Sequence, residues 1–365
     1  MPDTPEVVVC ICTYKRPQLL EKLLEDLERQ TFLPKRTLVV DGDPESNLVP
    51  EMLRNRASEY GLCYQYISSN HANLAYQRYL GWAYANEIKA DILLYFDDDL
   101  RIPIPQTLQE LIDPFLEGKG VAGVTTRIVF GNTRNLDAYP HLQERDGGRK
   151  SPGFLAAFFG SSRNLPAGGL SPTGNRMLPA SNGEKYLSLS WLRGGVMGYA
   201  MKYLSQECFT EDLFAMTHIG CGLGEDTLLS HRLSFKGKLY MVNGIQVNHP
   251  HDAIPNSYPV EPFRFGFTTA YSRRLLNDYY RGFEPPHWSD RLALLKSYFG
   301  NLLLGLWKAL RYPAPHRFLF TAGYFYGMIR GLVCAPRARH LTPQIRWFQD
   351  AEAALAKVNQ IGAQL

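Results

Sequence analysis

The sequence predicts an α/β protein, a Rossmann-like, doubly wound, mostly parallel sheet with a C-terminal helical extension. Three observations predict it. Short apolar, β-branched runs alternate with helix-periodic stretches between Glu6 and Phe96. Polar clusters fall where those runs stop, and ligands of such sheets sit beyond the carboxyl ends of the strands. Beyond residue 253 the strand pattern gives way to apolar and aromatic stretches with basic punctuation.

Glu6–Cys12 (EVVVCIC) has the near-continuous apolar character of a buried parallel strand, and Thr13–Pro17 (TYKRP) breaks it. Gln18–Arg29 places Leu19, Leu20, Leu23, Leu24 and Leu27 at helical spacing between charges. Thr37–Val40 is a second strand, ending in the turn Asp41-Gly42-Asp43-Pro44. Leu48–Glu59 suits a helix, Cys63–Ile67 a third strand and Leu74–Glu87 another helix. Asp91–Phe96 (DILLYF) is a fourth strand that runs into Asp97-Asp98-Asp99. Leu239–Val247 is a later strand, ending in Asn248-His249-Pro250-His251.

Residues 147–183 are crowded with Gly, Pro, Ser and Asn, and a loop of that length inside a compact domain is commonly functional or disordered. The expected organisation is a nucleotide-binding and catalytic domain over 1–252, with 147–183 as a flexible acceptor-side loop, and a helical, basic and aromatic extension over 253–365. In that extension Leu292–Leu310 and Phe318–Val333 are apolar, but charges interrupt them before the ~20 residues a membrane span needs.

Of 365 residues, 45% are hydrophobic and 20% charged, which excludes a disordered chain. The net charge is +4, yet residues 289–340 hold eight basic residues and one acid, a net +7, leaving −3 for the rest. So uneven a distribution argues against general nucleic-acid binding and for one specialised surface. Six cysteines, none in a C-x-x-C pair, give no zinc template. Together with the unremarkable opening MPDTPEVVV, they point to a reducing, cytoplasmic setting.

The chemistry gathers at the strand ends. Three adjacent carboxylates, Asp97, Asp98 and Asp99, repel one another unless cations or donors compensate them. Mg²⁺ binds such groups together with substrate phosphates, and Mn²⁺ accepts the same ligands. Glu225-Asp226 opens a helical stretch after a glycine-rich turn. Acids are favoured there electrostatically, and beside a nucleotide one of them can serve as a general base. His249 could complete a metal shell or contact a phosphate. Trp191-Leu192-Arg193-Gly194-Gly195 combines a core-like Trp with glycines that allow close backbone approach. Lys15 and Arg16 either meet phosphate or solvate a loop.

In this order the motifs over residues 6–252 resemble those of the family 2 glycosyltransferases, inverting enzymes of the GT-A fold. VVVCICTYKRP is similar to the opening strand and nucleotide-binding turn, which assigns Thr13, Tyr14 and Arg16 to the donor. LVVDGDPES is similar to the second strand, whose Asp contacts the base, here Asp41. LLYFDDDL resembles the DxD strand, which places Asp97 and Asp98 near the nucleotide and Asp99 on the metal. LRGGVMGY is similar to the acceptor-side segment, here Trp191, Arg193, Gly194 and Gly195. GLGEDTLLSHRL is similar to the Glu-Asp motif, which makes Asp226 the catalytic base beside Glu225. VNHPH resembles the strand whose His lies near metal and diphosphate, here His249. The helix after the third strand departs from the family, since Asn73-Leu74-Ala75 lacks a glycine and Tyr79 follows Arg78; Arg78 keeps a donor role.

The resemblance implies an inverting, metal-dependent transfer from a nucleotide-diphosphate sugar to an acceptor hydroxyl, in bacterial-type polysaccharide or glycoconjugate assembly. The cofactor is Mn²⁺ or Mg²⁺. A UDP-sugar is the favoured donor, with GDP- and dTDP-sugars as alternatives, and the acceptor is a saccharide or lipid-linked saccharide. The basic extension, outside the resemblance, reads either as peripheral contact with the cytoplasmic face of the membrane or as a helical subdomain packed on the catalytic domain. A nucleotidyltransferase on a similar sheet and a non-catalytic sugar-binding scaffold are the rival readings.

Overall fold

A computed structural model describes residues 5–60, 63–118, 120–130, 168–174, 176, 179, 183–210, 213–214, 224–250, 261–283, 288–333 and 347–362. The first half alternates as the sequence predicts. β1 (Val7–Thr13), α1 (Pro17–Glu28), β2 (Arg36–Asp41), α2 (Leu48–Tyr60), β3 (Tyr64–Ser68), α3 (Leu74–Glu87), β4 (Ile92–Asp97), α4 (Thr107–Glu117) and β5 (Val121–Phe130) follow in turn. Then come β6 (Tyr186–Leu189), β7 (Val196–Ala200), α5 (Glu225–Ser234) and β8 (Lys238–His249). The C-terminal part contains α6 (Pro262–Phe283), α7 (Trp288–Arg311), α8 (Pro315–Val333), α9 (Trp347–Leu355) and β9 (Asn359–Ile361).

Among the described residues nine strands join one mixed sheet in the order β6-β8-β5-β7-β4-β1-β2-β3-β9. β3, β2, β1 and β4 are mutually parallel; β7 runs against both β4 and β5, and β8 is parallel to β5. The strands β1 to β5 and β8 therefore share one direction, and only β6, β7 and β9 oppose it.

β1 is buried along its whole length, so its side chains feed both faces. Val8, Cys10 and Cys12 pack with Tyr76 of α3, Leu228 of α5 and Trp347 of α9. Val7, Val9 and Ile11 pack with Leu20 of α1, Leu53 of α2 and Leu108 of α4. This two-residue alternation makes a three-layer sandwich, in which each fully buried Leu or Ile contributes ~1.5–3 kcal/mol. In register, Thr13 lies opposite Asp41, and Cys12 opposite Asp97, so the ends of β1, β2 and β4 form one rim.

Part of the C-terminal region is built into this sandwich. Tyr271, Leu275 and Tyr279 of α6 join the core beside α5, and β9 adds antiparallel to the edge strand β3. α8 packs on α6 through glycines. A Cβ on Gly323 or Gly327 would run into the carbonyl oxygens of Phe263 and Phe267, and one on Gly266 into that of Phe320. Among the described residues no helix is long and apolar enough to cross a membrane.

Candidate active site at the carboxyl rim of the sheet

The turn after β1 folds back on the acidic cluster. Lys15 takes a left-handed conformation (φ 58°), unusual for a side chain with a Cβ, and Pro17 then starts α1 with its fixed φ. Thr13 Oγ1 donates to Asp98 Oδ2 at 2.7 Å. The Arg16 guanidinium bridges two carboxylates, with Nη2 2.6 Å from Asp98 Oδ1 and Nη1 2.9 Å from Asp99 Oδ2. Asp98 is fully buried, and burial pushes its pKa up to about 7 against the pull of Arg16 and Thr13. Asp98 thus has both oxygens engaged by the β1 turn, which it braces.

Asp99 Oδ1 faces His249 Nε2 at 3.4 Å. β8 delivers that histidine because it runs parallel to β5, whose Phe130 lies opposite His249 in register. Burial works to raise the Asp99 pKa, but hydrogen bonding and charge from His249, with Arg16, outweigh it and hold the carboxyl below its ordinary value. The imidazole responds in the opposite direction: burial lowers its pKa, and Asp99 more than reverses this. A carboxylate oxygen and an imidazole nitrogen thus stand side by side. Among the described residues no group of three His, Cys, Asp or Glu side chains could hold a metal alone.

Arg78, on α3, is almost wholly buried and joins the two halves of the rim. Its Nη2 donates to Asp97 Oδ1 at 3.0 Å and its Nη1 to Glu225 Oε1 at 2.8 Å. Tyr95 fixes the backbone beneath by donating to the Arg78 carbonyl at 2.5 Å. Glu225 is deeply buried, and that burial, with the adjacent Asp226 charge, raises its pKa to about 7 despite Arg78.

Asp226 sits in a cradle of donors. Gly194 N donates to Oδ2 at 2.6 Å, and Thr227 N to Oδ1 at 2.7 Å. The loop that brings Gly194 there is docked on α5: Leu192 N donates to Ser230 Oγ, which donates in turn to the Asp226 carbonyl. Gly195 (φ 100°) and Gly224 (φ 105°) make the left-handed turns on either side. Asp97 N donates to the Gly195 carbonyl at 2.9 Å, so this loop abuts the end of β4. Burial lowers the Arg193 pKa to about 10, a shift the Asp226 charge opposes, and the guanidinium stays charged at neutral pH. Trp191 is buried beneath the loop.

Asp41 is completely buried at the end of β2. It accepts from Asp43 N at 3.0 Å and Tyr66 OH at 3.3 Å, and burial raises its pKa to about 6. Gln77 Nε2 pins the neighbouring strand ends by donating to the carbonyls of Thr13 and Val40. Tyr14 lies in the β1 turn, with the Lys15 ammonium 5.2 Å from its ring centroid.

The residues singled out in the sequence therefore fall into two clusters linked by Arg78. Asp41 and Tyr14 sit to one side, at the ends of β2 and β1. Sequence reasoning missed Arg176, which is 3.7 Å from Asp226 Oδ2, donates to Thr227 Oγ1 at 3.1 Å, and stands 5.5 Å from the centre of the Trp191 ring. Its signal was available as a charged side chain within an otherwise small and polar stretch. Most of the expected acceptor-side loop 147–183, and His251, lie outside the described residues.

Residues 8–162 match the family described as Glycosyl transferase family 2. Among solved structures, S. aureus TarS 1-349 is similar, with a TM-score of 0.50 at 11% identity, covering 96% of this chain and 88% of that one. Mannosyltransferase PcManGT from Pyrobaculum calidifontis, solved in complex with GDP-Man and Mn²⁺, has a TM-score of 0.48 at 14% identity, covering 91% and 88% of the two chains. No curated protein sequence matches. The sheet is of the GT-A, Rossmann-like type, with helices added after it. The similarity to glycosyl transferase family 2 thus lies in residues 8–162, the stretch that carries β1 to β5.

Proposed function

We propose that the protein transfers a sugar, with inversion, from a nucleotide-diphosphate sugar to an acceptor hydroxyl. The observation that carries this reading is the Asp97–Arg78–Glu225 bridge, which couples the end of β4 to the acid pair that begins α5. It joins a rim suited to a nucleotide to a carboxylate suited to a base.

Asp226 is the base. Its oxygens are oriented by Gly194 and Thr227, and it accepts the acceptor hydroxyl proton as that oxygen attacks the anomeric carbon from the face opposite the leaving group. One displacement of this kind inverts the sugar and forms no covalent enzyme intermediate. Arg193 and Arg176 flank the base and place positive charge beside it. On the donor side Thr13, Tyr14 and Arg16 form the turn against which the nucleotide rests, with Asp41 toward the base and Asp97 and Arg78 toward the sugar phosphate.

The donor atoms at Asp99 and His249 fit Mn²⁺ or Mg²⁺. A carboxylate oxygen and an imidazole nitrogen are close enough to share one ion, and such ions complete their shells with phosphate and water. When bound, the metal neutralises charge on the departing diphosphate. A UDP-sugar is the first donor to try, before GDP- and dTDP-sugars. A saccharide or lipid-linked saccharide of a polysaccharide or glycoconjugate assembly is the acceptor, reached from the cytoplasmic side of the membrane.

The test is product analysis with each nucleotide sugar and Mn²⁺, for wild type and Asp226→Asn. Release of nucleoside diphosphate with sugar transfer, lost in the variant while nucleotide affinity is kept, is the expected result. Release of pyrophosphate would instead mean a nucleotidyltransferase. Nucleotide binding without turnover by wild type on any acceptor tried would favour the sugar-binding scaffold.

A further inference from the structure

α7 and α8 together leave a broad apolar face uncovered. On α7, Leu292, Leu295, Phe299, Leu303, Leu306 and Leu310 are all exposed, at spacings of three or four residues. That spacing puts them on one stripe of the helix. On α8, Phe318, Phe325, Ile329 and Leu332 repeat the pattern. The inward faces are already occupied. Gly323 and Gly327 press α8 onto α6, while Leu294 and Tyr298 of α7 pack with Tyr324 and Met328 of α8. The outward stripes are therefore not the helices' contribution to the fold. Trp307 is 56% exposed and Leu310 74%.

The turn between the two helices is aromatic and basic. The guanidinium groups of Arg311 and Arg317 lie 5.2 Å and 5.4 Å from the centre of the Tyr312 ring. Arg317 also donates to the Tyr312 carbonyl at 2.8 Å, and Trp307 meets the same ring edge-on. Arg291, Lys296, Lys308 and Arg330 add positive charge along α7 and α8, where Asp290 is the one acid.

We propose that this α7–α8 face docks on a lipid bilayer carrying anionic headgroups. Its composition decides the occupant. Apolar stripes enter the acyl boundary, and Trp and Tyr suit the headgroup level. Lysine and arginine side chains reach up to anionic phosphates while their stems stay among the chains. A second copy of the chain would bring the same basic side chains against one another with almost no acid to offset them, which opposes pairing through this face. Spanning is excluded for these two helices, because α7 has length enough at 24 residues but carries charges along its course. Docking bears on the choice of acceptor in the proposed reaction, since a lipid-held acceptor would share the surface. It does not depend on that reaction, and its test uses no nucleotide sugar.

The full chain is sedimented with vesicles of phosphatidylcholine alone or of equal parts phosphatidylcholine and phosphatidylglycerol. Binding is expected to the anionic vesicles at low salt and to weaken as salt screens the charges. Arg311→Gln and Arg330→Gln should each weaken it about fivefold. Leu303→Asp with Phe325→Asp should weaken it about tenfold or more, with circular dichroism and thermal unfolding unchanged because both side chains are exposed. If the double variant does not fold, the arginine variants and the salt dependence still decide. Wild type left in the supernatant with anionic vesicles would overturn the proposal. So would binding that the arginine variants leave unchanged, or a dimer in light scattering that Leu303→Asp dissolves.

Discussion

Gly194 N donates to Asp226 Oδ2 at 2.6 Å, and a Cβ at position 194 would stand 2.9 Å from that same oxygen. The hydrogen bond and the absence of a side chain are one requirement. Gly194→Ala must push the carboxylate or the loop away. A hydrogen bond to a charged group is worth ~1.5–3 kcal/mol, so kcat should fall about tenfold to a hundredfold. The nucleotide Kd, measured by calorimetry, should stay within about twofold, since nothing on the donor side is touched.

Arg78 is buried between Asp97 and Glu225, so removing it leaves two carboxylates facing each other without their cation. Arg78→Met should destabilise the fold by about 3–5 kcal/mol, seen as a lower urea midpoint. Arg78→Lys keeps the charge but loses the two-armed contact and should fall between the two.

Glu225 has a folded-state pKa of about 7 against an ordinary 4.5. A raised carboxyl pKa means that folding favours the protonated form. The stability it contributes is full below 4.5 and is lost as the pH rises through 7. Glu225→Gln keeps an acceptor for Arg78 and removes the titration. Wild type should therefore lose stability relative to this variant between pH 5 and pH 8, by at most about 1.4 kcal/mol per pH unit. Chemical denaturation of both proteins at several pH values measures the difference, and parallel curves would contradict it.

Asp99→Asn should remove the Mn²⁺-dependent part of nucleotide binding, weakening affinity by about tenfold or more in Mn²⁺. In chelator the variant and wild type should differ little. Thermal shifts with nucleotide, with and without metal, supply the four numbers needed.

The first four strands and three helices were legible because a buried parallel strand is an unbroken apolar run and an amphipathic helix repeats every three to four residues. Predicted and observed ends differ by a residue or two: the third strand starts at Tyr64, not Cys63, and extends to Ser68. The positions of the rim acids were legible for the same reason, their directions were not. Alternation fixes side-chain direction only while the strand continues, and β4 stops at Asp97. Asp98 then turns into the protein toward Thr13 and Arg16, and Asp99 toward His249, which no local pattern encodes. Arg176 was visible as a charge in a small, polar stretch, but its place beside Asp226 depends on where a long loop returns. The α6–α8 contact was equally hidden, since it rests on Gly266, Gly323 and Gly327, which carry no hydrophobic signal at all.

β9 pairs with β3 across roughly three hundred residues of chain. Nearby, His71 contacts Asp350 at 2.9 Å, and Trp347 lies against the rings of His71 and Tyr76. On the ribosome β3 is made early and its outer edge stays bare until residues 359–361 emerge, long after the nucleotide-side strands can have assembled. An open edge strand is a template for any other strand that passes. Chains interrupted after α8 should therefore be the form of this protein most prone to self-association, though the carboxyl rim of their sheet would be complete in every residue.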